Sequence, residues 1–505
     1  MTGGLLPNDV LRDAPVHTPS RRELADLELL LIGAYAPLTG FLGRADLTSQ
    51  ARTGRLADGT AWPVPVTLEV PADLAGALHP ADSARRTLVL TDPGGAPVAV
   101  VEVTDVWPTR DGWCGVAGPV RRVGDAAHGP FRQMRKTPEE VRGLLPPGRV
   151  LGVIADRPLH RPQLAQIAHA ARALAAHVLV LIPVAEPGPD GLPPEALVRC
   201  VLAARDRMPP ATLVAVPLAR RADEIRDALL RSRVARAYGV THLLPLGQMY
   251  AGAGLRVLVP RELAYDGRDG QWRWREDIPP HNRRLPLSAE EIEELLDMGA
   301  PLPEWHTPPA VARELSRSRP PRRQRGLVVF FTGLPGSGKS TIARGVADAL
   351  LETGERTVTL LDGDVLRREL AAGPGADDPD PGSGTRRIGW VAAEAARHGG
   401  LVLSCPVAPR VTDREVARDL ARQAGAGFVL VYLSTPAEVC AQRDRERGYP
   451  RPGDHADVTG AHDVYEPPSD PDLSIDTSQV PVRSAIDAVL GYLGAEGWID
   501  PRHTG

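Results

Sequence analysis

The stretch LVVFFTGLPGSGKST, residues 327–341, decides the fold of the last third of the chain. Leu327 to Thr332 is a short unbroken apolar run, the pattern of a strand buried on both faces. A G-x-x-x-x-G-K-S loop follows from Gly333 to Ser340. Next comes Thr341 to Leu351, with Ile342, Val346 and Leu350 at helical spacing. Strand, glycine loop and helix are the context in which such a loop cradles phosphate. The glycines let backbone N–H groups curl around the anion, and the helix N-terminus adds its positive end. Lys339 reaches the outer phosphates, and the Ser340 hydroxyl is a ligand for Mg²⁺. Gly333, Leu334, Pro335, Gly336, Ser337, Gly338, Lys339, Ser340 and Thr341 are therefore the expected binding set for ATP with Mg²⁺.

The basic composition sharpens this reading. Of 59 Lys and Arg residues, lysine stands only at Lys136 and Lys339. A lysine in the loop of an arginine-using chain points to a need for a compact ammonium where a planar fork does not fit. A second strand, Thr357–Leu361, ends in Asp362-Gly363-Asp364, with Arg367 one helical turn on. Carboxylates at a strand's carboxyl end face the ligand site of an open parallel sheet. Asp362 is placed to hold the metal or its water, and Asp364 to take a proton from an attacking hydroxyl.

Outward from this region, 505 residues exceed one ordinary domain, and 43% apolar residues suffice for buried cores. A net charge of −4 gives no general pull toward nucleic acid or anionic membrane. Cys114, Cys200, Cys405 and Cys440 form no C-x-x-C pair, which argues against a disulfide frame or zinc site and points to a reducing, cytoplasmic setting. Met1 to Asp13 lacks the pattern of a signal peptide. The longest apolar run, Val178–Ala185, is far short of the ~20 residues of a membrane helix.

Residues 1–148 read as β-rich, from runs such as Val64–Val70 and Thr87–Thr91 between turn signals. Residues 149–315 alternate strand-like runs (Val150–Ala155, Val178–Val184, Thr212–Val216, Thr241–Leu246) with helical stretches, an α/β rhythm with a parallel sheet. The segment SRSRPPRRQRG, 316–326, reads as a solvated linker, and 327–505 as a second α/β domain.

Further motifs carry a family resemblance. Gly333–Thr341, Leu361–Arg367, Arg386-Arg-Ile-Gly389, Cys405-Pro-Val-Ala-Pro409, Thr435–Cys440 with Arg443-Asp444, Thr459-Gly460 and Tyr465-Glu466-Pro467 stand in the order of the adenylyl-sulfate kinase family, which 327–477 resembles. The resemblance implies that Arg367, Arg386, Val407 and Ala408 face the acceptor and Arg443 faces the adenine of ATP. The first 320 residues resemble ATP sulfurylase. Gly33–Phe41 and Asp58–Pro63 look like its PUA-like N-terminal domain, and Trp305 looks like the bridge to a fused kinase. The implied architecture is α/β multidomain: a β-rich PUA-like domain, a sulfurylase-like nucleotidyltransferase domain and a C-terminal P-loop kinase. It also implies a small-molecule acceptor and a homo-oligomer.

The chain departs from the sulfurylase pattern. Where that family has Q-T-R-N-P-x-H-x-x-H, this chain has Ile154-Ala-Asp-Arg-Pro-Leu-His160-Arg-Pro-Gln163. Asp156 then stands where an arginine would hold sulfate, at an expected cost of several kcal/mol. The G-R-D-H-A-G motif reads Gly247-Gln-Met-Tyr-Ala-Gly252, so a silent sulfurylase half is expected, with His160 a satisfied or surface histidine rather than a catalyst. On the kinase side, Pro374–Asp377, Pro381, Gly384 and Val458 occupy positions where the family has acceptor-binding groups, two of them adenine-stacking phenylalanines. Each lost stack costs about 1–3 kcal/mol. Three functions follow: adenylyl-sulfate kinase, a kinase of the same mechanism acting on another hydroxyl, or a non-catalytic nucleotide-binding partner of a sulfurylase.

Overall fold

The computed structural model describes residues 14–79, 86–123, 129–246, 254–363, 365, 383–406, 408–446 and 465–500. The chain forms two compact units, one of residues up to 289 with 302–315, the other of 290–301 with 316 onward.

The first unit opens with antiparallel strands gathered on the ten-residue strand Trp113–Arg122. This strand pairs with Gly40–Phe41, Leu68–Pro71, Pro97–Glu102 and Asp105–Arg110. The run at 64–70 becomes ladder only from Leu68, because Pro63 and Pro65 bring no N–H to a neighbour. Next comes a parallel sheet of β1 (Val150–Ile154), β2 (His177–Pro183), β3 (Ala211–Val216), β4 (His242–Leu243) and β5 (Arg256–Val257). Its order is β3-β2-β1-β4-β5. The run at 241–246 yields only two strand residues, with Pro245 close behind them. Helices α1 (Arg161–Leu174) and α2 (Glu224–Ala237) flank the sheet. One continuous core joins Tyr35, Trp62, Leu68 and Val101 to Ile154, Leu179, Val214 and Tyr238, so the β-rich and α/β portions share their interior. Trp305 belongs to this unit, stacked on Trp272 at 6.0 Å.

The second unit is a parallel sheet built around β6 (Leu327–Gly333), which leads into α3 (Lys339–Thr353). It is followed by β7 (Val358–Asp362), α4 (Ser383–Arg397), β8 (Leu401–Cys405), α5 (Val411–Gln423), β9 (Gly427–Leu433), α6 (Ala437–Glu446), β10 (Leu473–Ile475) and α7 (Val482–Ala495). The strand order is β7-β8-β6-β9-β10. The apolar run of β6 sorts by alternation. Leu327, Val329 and Phe331 share a core with Ile342, Val346 and Leu350 of α3 and Val489 and Leu493 of α7. Val328 and Phe330 pack with Ala392 and Ala396 of α4 and Ala417 and Ala421 of α5. A strand covered on both faces needs apolar residues at every position, which is why this stretch shows no polar alternation.

The proline- and arginine-rich segment is not left to solvent. Arg319, Arg322 and Arg325 converge on the carboxylate of Asp297, in the helix Ala289–Met298, at 2.9, 3.1 and 2.5 Å. Arg322 also meets Glu496 at 3.1 Å, and Arg323 meets Asp500 at 3.4 Å. Burial alone would raise the Asp297 carboxyl, but the hydrogen bonds and charges of Arg319 and Arg325 outweigh it and hold it at about 2. The acidic partners lie outside the segment, so its own composition gave no hint of them. Among the described residues no helix is long and apolar enough to cross a membrane, and no disulfide joins Cys114, Cys200, Cys405 or Cys440.

Candidate active site

The glycine loop leaves the carboxyl end of the central strand and turns directly into α3. Gly338 caps that helix with φ 98°, in the left-handed region. Gly336 has φ 79°, and a Cβ there would lie 2.5 Å from the carbonyl oxygen of Cys440. The left-handed backbone disfavours a side chain at both positions, and at Gly336 the Cys440 carbonyl also leaves no room for one. Lys339 is buried at the first position of α3, its ammonium donating to the carbonyls of Gly333 and Leu334 at 2.9 Å each. Ser337 is fully buried, and its hydroxyl has no hydrogen-bond partner among the described residues. An orphaned hydroxyl, a buried ammonium and a helix N-terminus make a donor set suited to a polyphosphate. Ser340 follows Lys339, half-buried, and Thr341 is exposed.

Asp362 closes β7 in register with Cys405 of β8, and β8 in turn pairs with β6. The Asp362 carboxylate is half-buried, with Arg344 of α3 at 3.9 Å. The Cys405 thiol is pushed up to about 12, first by burial and then by the Asp362 charge, with Lys339 and Arg344 pulling the other way. Lys339, Asp362 and Cys405 thus share one electrostatic neighbourhood at the carboxyl ends of the strands, where open parallel sheets bind their ligands. Asp362 and the Ser340 hydroxyl are both hard oxygen donors, and this pair fits Mg²⁺.

Behind the loop, Thr435 and Thr477 stand two residues past the ends of β9 and β10. Thr477 Oγ1 donates to the carbonyl of Ser337 at 3.0 Å and lies 2.8 Å from Thr435 Oγ1. Arg443 of α6 donates to Thr477 Oγ1 at 2.7 Å and to its carbonyl at 2.8 Å. The arginine expected at the nucleotide is therefore tied through Thr477 to the loop itself. Beyond β8, Ala408 takes a left-handed φ of 43°. The Tyr465-Glu466 segment meets this loop, with Glu466 N donating to the Pro409 carbonyl at 2.9 Å and Val411 N to Glu466 Oε2 at 2.8 Å.

The first unit has a different electrostatic design. Asp156, at the carboxyl end of β1, is buried and ion-paired with Arg231 at 3.4 Å and Arg220 at 3.7 Å. Arg231 is also held by Asp227 at 2.5 Å. The acidic residue does not face an unscreened anion, as its sequence position suggests, because two guanidiniums from beyond β3 neutralise it. His160 is buried against His306, ring centroids 4.8 Å apart, and its Nδ1 lies 3.0 Å from Thr307 Oγ1. Burial, and then the neighbouring His306, lower its pKa to about 3, so the ring is neutral. Of the two expectations for His160, a satisfied or a surface histidine, the packing gives the first.

The adenylylsulphate kinase family profile matches residues 325–476, the ATP-sulfurylase profile 132–271 and the PUA-like domain profile 10–113. The chain is 30% identical to a sulfate adenylyltransferase of Aspergillus fumigatus over 567 aligned residues, covering 99% of each chain. It is also 30% identical to one from Mycosarcoma maydis, covering 98% of this chain and 99% of the relative. The chain belongs to the fused ATP-sulfurylase and adenylyl-sulfate kinase family. A solved structure, the hexameric APS kinase from Thiobacillus denitrificans, is 31% identical with a TM-score of 0.71, covering 97% of this chain and 95% of that one.

Within this sulfurylase–kinase framework the described residues bring together the glycine loop, Lys339, Ser340, Asp362, Ala408 and Arg443. Arg386 lies exposed on α4, one residue beyond the buried Thr385. Asp364, Arg367 and Val407 lie outside the described residues, as do Gly247–Gly252, Pro374–Asp377, Pro381 and Val458. Sequence reasoning missed Thr435, Thr477 and Arg414. A threonine just past the carboxyl end of a parallel strand is a signal that could have found the first two.

Proposed function

We propose that the chain transfers the terminal phosphoryl group of ATP to the ribose 3′-hydroxyl of adenylyl sulfate, giving ADP and 3′-phosphoadenylyl sulfate. The observation that carries this is the placement of Lys339, Asp362 and the Ala408 loop at the carboxyl ends of one parallel sheet, in a kinase domain whose motifs keep the family's order. Lys339 and the loop amides hold the outer phosphates, while Ser340 and Asp362 hold Mg²⁺ or its waters. The metal, when bound, offsets charge on the transferring group. Asp364 orients and deprotonates the acceptor hydroxyl. Arg367, Arg386, Val407 and Ala408 bind the acceptor, and Arg443 flanks the adenine. Catalysis is then positioning and charge stabilisation, with no covalent protein intermediate.

The domain reading that goes with this is 1–148 PUA-like, 149–315 sulfurylase-like, 316–326 connecting and 327–505 kinase. The sulfurylase-like half is silent toward sulfate, because Arg231 and Arg220 already carry Asp156 as their internal counter-ion. We further propose a cytoplasmic homo-oligomer, a reading motivated by four cysteines without a disulfide and by the hexameric assembly named for the solved relative. A second reading, a kinase for another hydroxyl, is favoured by Pro381 and Val458 where the family has acceptor-binding groups. Screening nucleotides and small alcohols for ADP release separates the two. Adenylyl sulfate as the best acceptor by far would eliminate the second.

A further inference from the structure

Ala408 is one of three non-glycine residues with positive φ among the described residues, and the only one in the kinase unit. Such a backbone persists only where its surroundings over-determine it. Here the surroundings are specific. Arg414 of α5 is only 4% exposed, and its guanidinium donates to the carbonyls of Ala408 at 2.8 Å, Pro409 at 3.2 Å and Glu466 at 2.7 Å. The ring of Tyr465 lies 5.7 Å from the guanidinium carbon and is stacked on Tyr432 at 6.2 Å. Thr332 Oγ1, on the last residue before the glycine loop, donates to the same Ala408 carbonyl at 3.4 Å and is 3.0 Å from the Tyr465 hydroxyl.

We propose that Arg414 is a positioning residue for the phosphoryl acceptor, holding the Ala408–Pro409 loop in its left-handed turn, and that Tyr465 ties this loop through Thr332 to the root of the phosphate cradle. This deepens the kinase reading and rests on it. A planar guanidinium bridges three carbonyls at once, whereas an ammonium of similar reach cannot match the fork. The Thr332 hydroxyl, giving its proton to Ala408, leaves a lone pair for Tyr465 to donate to. Burial pushes the Tyr465 phenol up to about 12, so it keeps that proton at neutral pH. The acceptor loop and the nucleotide loop are thereby joined through side chains that touch neither reacting atom.

The test uses the full chain, with Arg414→Gln, Arg414→Lys and Tyr465→Phe, in two arms. In hydrogen exchange, Arg414→Gln should speed exchange of the Val411 and Glu466 amides about tenfold, while peptides from α3 are unchanged. In steady-state kinetics with adenylyl sulfate, its KM should rise roughly tenfold with the ATP KM within about twofold, and Arg414→Lys should recover part of the loss. Tyr465→Phe removes one hydroxyl and should shift both readouts the same way by about threefold, which keeps the test open if Arg414→Gln does not fold. Unchanged exchange in both Arg414→Gln and Tyr465→Phe overturns the proposal. So does an equal rise in both KM values. Should the unmodified protein not turn over adenylyl sulfate, the substrate reading falls, and the exchange arm still judges the clamp.

Discussion

The ammonium of Lys339 lies 2.9 Å from the carbonyl oxygen of Gly333, the residue on which its own loop begins. The lysine therefore closes the loop it serves, and its charge is fixed at the cradle by a backbone contact. Replacing it removes both the loop closure and the charge proposed to hold the outer phosphates. Lys339→Ala should lower kcat about 10²–10³-fold, the scale of losing one preorganised electrostatic group. ADP release in single-variant kinetics checks this, and a loss under about tenfold would contradict the role.

Gly336 allows no Cβ. Its left-handed backbone alone costs an L-residue about 1–2 kcal/mol, and the Cys440 carbonyl at 2.5 Å adds a clash with rigid main chain. Gly336→Ala should lower the denaturation midpoint and weaken Mg·ATP binding together. Tight binding in a stable Gly336→Ala protein would show that the loop has another shape.

His160 makes stability of the first unit depend on pH. Its folded pKa of about 3 lies below the ordinary 6.5, so the unfolded chain binds the extra proton between those values. Stability from this group is fully present above 6.5 and falls as pH drops toward 3. Denaturation midpoints at neutral and acidic pH should show a steeper loss in the unmodified protein than in His160→Asn. His160→Ala should leave phosphoryl transfer unchanged at neutral pH, because the ring is packed in the sulfurylase-like half.

Asp297 offsets three guanidiniums while its side chain is 13% exposed. Asp297→Asn leaves Arg319, Arg322 and Arg325 without their shared carboxylate. It should cost about 1–3 kcal/mol, less than a broken fully buried pair because Arg319 and Arg322 keep part of their hydration. Limited proteolysis should then open the chain near residues 316–326, where the unmodified protein should resist cleavage.

What could be read from the sequence was whatever depends on neighbours along the chain. Five apolar residues, a spaced set of glycines and a helical repeat define β6, the loop and α3 within one short window. The apolar runs at 64–67 and 244–246 promise more strand than forms, because Pro63, Pro65 and Pro245 bring no N–H to a ladder. Contacts from far along the chain stayed hidden. Asp156 looks uncompensated until α2 brings Arg231 to it, 75 residues on. The 316–326 segment looks solvated until Asp297 is folded against it. Arg414 reads as one more surface arginine on an amphipathic helix until its guanidinium is found under Tyr465.

The central claim is best tested by measuring ADP release from Mg·ATP by the purified full chain, with and without adenylyl sulfate. The account predicts ADP formation that depends on adenylyl sulfate, is matched by 3′-phosphoadenylyl sulfate, and is lost in Lys339→Ala. A folded protein that binds Mg·ATP but shows no acceptor-stimulated ADP release with excess adenylyl sulfate would contradict it.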